Sequence, residues 1–224
     1  AAVATAGCGT RMLPRVALRP RRAAEQTVRM PAPQPSGPSR RWTAAEVRAL
    51  IDAAPLVTPR YELVDGELLV TPSPIPLHQR AVASLLLALH PYVEAERLGE
   101  ALTSPADIGL EPESIVQPDV FVVPTGGEPG PRSWADVRAL LLAIEVLSPS
   151  SARHDRIRKR HFFRRVGVPE YWIVDAEVRV VERSRADDDR VELLDERLVW
   201  HPTGASGPFT LDLPAFFARV HRED

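Results

Sequence analysis

Hydrophobic residues change their period several times along this chain. In LHQRAVASLLLALHPYVEAERLG, Leu77, Ala81, Val82, Leu85, Leu86, Leu89 and Val93 recur at three- and four-residue steps, which predicts a helix facing a core. Pro91 should kink it or end it early, and Gly99 marks a stop. Upstream, TAAEVRALIDAA sets Glu46 three residues after Thr43, a reciprocal capping pair, and the helix should stop before Pro55. RYELVDGELLV reads instead as strand, Asp65-Gly66 turn and strand, a hairpin.

The middle of the chain favours strands. ADIGL and VQPDVFVV read as two, separated by the turn-like EPES, and PTGGEPGPRS is a Gly/Pro loop. LLLAIEVLS is a continuous apolar run with one acid, Glu145, the pattern of a strand buried on both faces. A helix should follow from about Ala152 to Val166, ended by Gly167 and Pro169. EYWIVD and VRVVERS are two more strands, RVELLDERLVW a further one, and LPAFFARV a short terminal helix. Tyr171, Trp172 and Ile173 read as buried-strand packing. The order α, ββ, α, βββ, α, ββ(β), α predicts a mixed α/β fold, a central mixed sheet flanked by helices.

Composition then narrows the setting. Of 224 residues, 44% are hydrophobic, enough for one domain with a real core. The first forty residues are rich in Ala, Arg and Pro, hold one acid, Glu25, and show no period. We expect residues 1–40 to be a disordered leader, with Met30 a plausible natural start, and 41–224 to form a single domain. A net charge of -2 excludes bulk electrostatic coating by nucleic acid, so such binding must be local. Cys8, the single cysteine, excludes an internal disulfide and Cys-rich zinc sites. No apolar run approaches the roughly 18 residues of a membrane span, so a cytoplasmic protein is expected.

Lys159 is the only lysine among 28 lysines and arginines. On a helical projection Asp155, Lys159, Phe162, Phe163 and Val166 share one stripe, while Arg153, Arg160, Arg164 and Arg165 lie opposite. An Asp155–Lys159 pair at i, i+4 would be worth a few tenths of a kcal/mol, and arginine could make it equally well. A compact ammonium beside reacting oxygens is what arginine supplies poorly. Glu145 and Asp119 are acids inside strand runs, poor core residues singly. Together they could hold a hard cation through oxygen ligands, with the lysine just downstream.

The blocks RYELVDGELLV, VQPDVFVV, IEVLSPSS, HDRIRK and GVPEYWIVD, in that order, resemble the Uma-type restriction endonuclease family (domain of unknown function 820), within the PD-(D/E)XK nuclease superfamily. The resemblance spans Arg41 to Asp224. It implies a restriction-endonuclease-like core with Asp119 and Glu145 as the acidic pair. Leu147 stands where the superfamily lysine would be, and Lys159 matches the amine recovered from the next helix. It further implies Mg²⁺, with Mn²⁺ as a substitute, held by Asp119, Glu145 and the Val146 carbonyl. Glu62 matches an acidic position that would ligate a second cation or orient the lysine. Asp107 and His78 also match, His78 in a hydrogen-bonding role.

The expected activity is a Mg²⁺-dependent DNA endonuclease, with Arg153, Arg156, Arg160 and Arg164 tracking the DNA backbone. A homodimer would suit a two-strand cut. The alternatives are a catalytically inactive or regulatory nucleic-acid-binding protein on the same scaffold, or hydrolysis of another phosphoester.

Overall fold

The computed structural model describes residues 40–54, 59–126, 130–148 and 151–223. All of the expected leader but Arg40 thus lies outside the described residues, which fall within one compact unit, Ser39–Asp224. Helix α1, Ala44–Ala53, begins as the sequence dictates: Thr43 and Glu46 cap one another's backbone amides. Strands β1, Arg60–Val64, and β2, Glu67–Thr71, pair antiparallel around Asp65 and Gly66, both at positive φ, as a two-residue hairpin turn requires.

Helix α2, Pro76–Ala95, continues past Pro91. The expected early end is therefore corrected: Leu89 and Val93, buried on either side of the proline, anchor the last turns against the core, and packing outweighs one lost amide bond. Gly99 opens strand β3, Gly99–Thr103, which the sequence pattern did not announce. Its ladder with β4, Val120–Pro124, runs along the backbone of Gly99, where a Cβ would stand 1.9 Å from the Val123 carbonyl oxygen. ADIGL is not a strand; Ile108 contributes only an isolated bridge to Val116.

A 3₁₀ turn at Trp134–Asp136 leads to β5, Leu142–Val146, every residue of which is buried. Then come α3, Ala152–His154, a π-helical turn over Asp155–Lys159, and α4, Arg160–Arg165. Strands β6, Glu170–Asp175, and β7, Val180–Arg185, follow as expected. RVELLDERLVW divides into β8, Val191–Leu194, and β9, Arg197–Trp200; β9 pairs with β10, Phe209–Asp212, ahead of the terminal helix α5, Leu213–His221.

Six strands form the central sheet in the order β3-β4-β5-β6-β7-β8. Only β5 and β6 run parallel, joined by helical segment 152–165, so the sheet is mixed. Strand alternation sorts its side chains into two cores. Val120, Val122, Leu142, Ile144 and Trp172 meet Leu85 and Leu89 of α2 and Phe216 and Phe217 of α5. Phe121, Ala143, Tyr171 and Ile173 meet Phe162 and Phe163 on the other face. A smaller cluster joins Val47 of α1 to Leu63 and Ile115. Among the described residues no helix is long and apolar enough to cross a membrane.

Candidate active site

The same alternation that buries Phe121 and Ala143 aims Asp119 and Glu145 at helical segment 152–165. In the antiparallel β4–β5 ladder Val120 faces Ile144 and Phe121 faces Ala143. Continuing that register by one residue sets Asp119 opposite Glu145. Two carboxylates directly across a ladder repel one another, and both are buried. Such a pair persists only with compensating partners, and the two acids find different ones.

Asp119 is fully engaged. Its Oδ1 accepts from Arg60 Nη1 at 2.9 Å, and its Oδ2 from the Val146 amide at 2.9 Å, with His78 Nε2 at 3.0 Å. Burial alone would raise its pKa, but the His78 contact, the Arg60 charge and the Val146 amide outweigh that and lower it to about 2. Glu145 Oε1 accepts from Lys159 Nζ at 2.9 Å. Burial, and repulsion from Asp155, Asp119 and Glu62, hold its pKa well above the ordinary carboxylate range despite the lysine.

Lys159 is itself buried, 3% exposed, with Glu62 Oε2 at 2.8 Å, Glu145 Oε1 at 2.9 Å and Asp155 Oδ1 at 3.5 Å. Burial favours the neutral amine, yet Glu145, Glu62 and Asp155 together push the pKa well above its usual value. The i, i+4 pair with Asp155 therefore exists, but as the longest of three contacts. The π-helical turn that carries Asp155 and Lys159 widens the helix by one residue per turn where both must point inward. Phe162 and Phe163 continue the buried side in α4, as the projected stripe requires.

Glu62 projects inward from β1, its Oε1 accepting from the Gln117 amide at 2.8 Å. Asp107 stands one step further off, joined through Gln117 Nε2 at 2.8 Å, and burial raises its pKa. Asp119, Glu145, Val146, Lys159, His78 and Arg60 line one cavity of about 170 Å³ beneath the Pro72–Ile75 connection. The structure thus brings Asp119, Glu145, Lys159 and Glu62 together. It places the four arginines elsewhere. Arg156 pairs with Asp175 and Glu182, Arg160 with Glu182, and Arg164 with Asp189, around a separate hollow of about 270 Å³. Arg153 is exposed.

Arg60 escaped the sequence reading. A signal was present, since alternation puts it on the Glu62 face of β1, but Arg is so common in this chain that its type carried no weight. In the sequence Asp155 stands out only as the lysine's helical neighbour.

The donor set fits a hard divalent cation in chemistry: two carboxylates on one cavity wall, with the strand-end backbone of Val146 alongside. Among the described residues, four buried carboxylates, Glu62, Asp119, Glu145 and Asp155, face two permanent cations, Lys159 and Arg60, and His78. With all four ionised the negative charge would be in excess, and a further cation would offset it. Among the described residues, however, no three His, Cys, Asp or Glu side chains stand ready as a metal cage; Lys159 and Arg60 hold the oxygens instead.

The sheet and its flanking helices define the fold class. A crystal structure of a putative nuclease belonging to DUF820 from Anabaena variabilis ATCC 29413 shares the fold, with TM-score 0.63 and 20% identity, over 78% of this chain and 98% of that one. The family model of Uma2, putative restriction endonuclease, matches residues 52–212, and the chain belongs to that family. No curated protein matches it.

Proposed function

We propose that this protein is a divalent-cation-dependent nuclease that hydrolyses phosphodiester bonds in DNA. The observation that carries the reading is convergence: Asp119, Glu145 and Lys159, distant in sequence, meet at one cavity with the ammonium 2.9 Å from Glu145. Asp119, Glu145 and the Val146 carbonyl would hold Mg²⁺ or Mn²⁺. Bound there, the cation supplies Lewis-acid chemistry, acidifying a water and offsetting charge on the phosphate. Glu62 and Asp155 keep Lys159 protonated and fixed, so it acts as a hydrogen-bond donor and positive charge beside the reacting oxygens, rather than as a base. Arg156, Arg160 and Arg164 would each exchange a carboxylate for a phosphate to contact DNA, whereas Arg153 is exposed for it. A homodimer would present two such sites to two strands.

The test is cleavage of supercoiled and linear DNA with Mg²⁺ or Mn²⁺, by the parent protein, Asp119→Ala and Lys159→Ala. We expect each variant to lose at least about 100-fold, the low end for a positioned catalytic group. Equal nicking by all three would mark a contaminant and end the proposal. One observation favours a non-catalytic, nucleic-acid-binding protein instead: Lys159 holds Glu145 and Arg60 holds Asp119, the two acids a cation would need. That reading requires salt-sensitive DNA binding that survives loss of Asp119 and Glu145, without turnover.

A further inference from the structure

We propose that Arg60 is the group that receives the substrate phosphate, resting on Asp119 until a cation takes that carboxylate. The inference depends on the cation-dependent reading above. Arg60 opens β1 and shares a face with Glu62, two residues on. Its side chain is 12% exposed and lines the same cavity as Glu145 and Lys159. Nη1 lies 2.9 Å from Asp119 Oδ1, while Nε is buried without a hydrogen-bond partner. A buried N–H left unpaired is costly, and a ligand oxygen would relieve it.

Asp119 has three donors, and a cation entering there must contend with each. The Val146 amide is strand backbone, and His78 is buried on α2. Arg60 differs: its guanidinium sits at the end of a long stem and leaves Asp119 by side-chain torsions alone. A guanidinium and a divalent cation at one carboxylate repel strongly in a water-poor cavity. Cation binding therefore expels Arg60 from Asp119 while leaving it tethered at the cavity wall. The planar fork, Nε included, then matches two oxygens of a phosphodiester. The contact that suppresses cation binding at rest thus becomes the one that holds substrate.

This arrangement predicts effects of opposite sign, which loss of structure alone cannot produce. Arg60→Gln and Arg60→Lys would be titrated with Mn²⁺ by calorimetry in the absence of DNA, and with a duplex oligonucleotide in the presence of Ca²⁺. Removing the positive charge in Arg60→Gln should tighten Mn²⁺ binding about tenfold and weaken DNA binding about tenfold. Arg60→Lys keeps the charge but not the fork, so its Mn²⁺ affinity should stay within about twofold while DNA binding falls. Unchanged or weaker Mn²⁺ binding by Arg60→Gln, beside a parent protein that binds Mn²⁺, overturns the inference and leaves the nuclease reading standing. Absence of Mn²⁺ binding in all three proteins overturns both. Should Arg60→Gln fail to fold, Arg60→Lys decides alone, and undiminished DNA binding by it refutes the role.

Discussion

Helical segment 152–165 separates two ionic networks that use the same residue types under opposite conditions. On its inner side Lys159 and Asp155 join Glu62, Glu145, Asp119 and Arg60, nearly all buried, with acids in excess. On its outer side Arg156, Arg160 and Arg164 meet Asp175, Glu182 and Asp189, acid for base, and are partly exposed. The outer network is near electrical balance and its arginines reach water, although Glu182 is buried, so the exposed pairs contribute little and can be exchanged. Charges in the inner one have no water to fall back on. A fold retains such an arrangement at a cost in stability, which suits the catalytic role proposed for it.

The sharpest way to break the contrast is to remove the lysine. Lys159→Met strips Glu62, Glu145 and Asp155 of their shared cation, and orphaning buried charge of this kind costs about 3–5 kcal/mol. The lysine's own pKa is raised, so its contribution is complete below the ordinary lysine value and would fade only in strong alkali. The loss in urea unfolding should shrink on acidification, as Glu145 and Asp155, whose pKa values burial raises, take up protons. A pH-independent loss below about 1 kcal/mol would place this network in the same class as the surface one.

Next in size is Asp119. Its folded pKa, about 2, lies below the ordinary carboxylate value of about 3.9, so ionised Asp119 stabilises the fold above pH 4 and that support disappears as pH falls toward 2. Asp119→Asn should lower stability by about 2 kcal/mol at pH 7 and flatten the acid limb of the stability curve. Parallel acid limbs for variant and parent would contradict the partner set of Arg60, His78 and the Val146 amide.

How much of this was written in the sequence depends on range. Asp119 and Glu145 could be picked out because an acid in an apolar strand run is anomalous by itself, and Lys159 because it is unique. The hairpin and the α1 cap rest on neighbouring residues and were equally readable. What stayed hidden is set by distant packing. Strand β3 has only Ala101 fully inside, so GEALT shows little alternation, and its pairing with β4 arises across the intervening chain. Pro91 is held in a helix by buried neighbours, against its local preference. Arg60 acquires meaning only from Asp119, which stands 59 positions away.

A smaller effect sharpens the comparison from the opposite direction. Glu145 has a raised pKa, so the fold favours its protonated form, and its ionised form costs stability at neutral pH. Glu145→Gln imitates the protonated state. It should stabilise the protein by on the order of 1 kcal/mol at pH 7–8, with the gain fading as pH falls below about 4.3, where the parent glutamate is neutral folded or unfolded. Cleavage activity should be lost in the same variant, a trade the outer network has no means to show.

Least affected should be the outer arginines. Arg164 is 41% exposed and its partner Asp189 84% exposed, so water screens the pair and both side chains keep rotational freedom when it opens. Arg164→Ala should shift stability by less than about 1 kcal/mol, and 0.5 M salt should remove most of that. Arg160 is less exposed, 23%, and shares Glu182 with Arg156, which can keep the carboxylate when Arg160 is gone. Its replacement by Ala should stay within the same range. A double change of Arg160 and Arg164 to Glu inverts the local charge, and any effect it has should appear in DNA binding and its salt dependence before it appears in unfolding. If instead these substitutions cost as much stability as Lys159→Met, exposure is not what divides the two networks, and the surplus of buried acid loses its claim to mark the site.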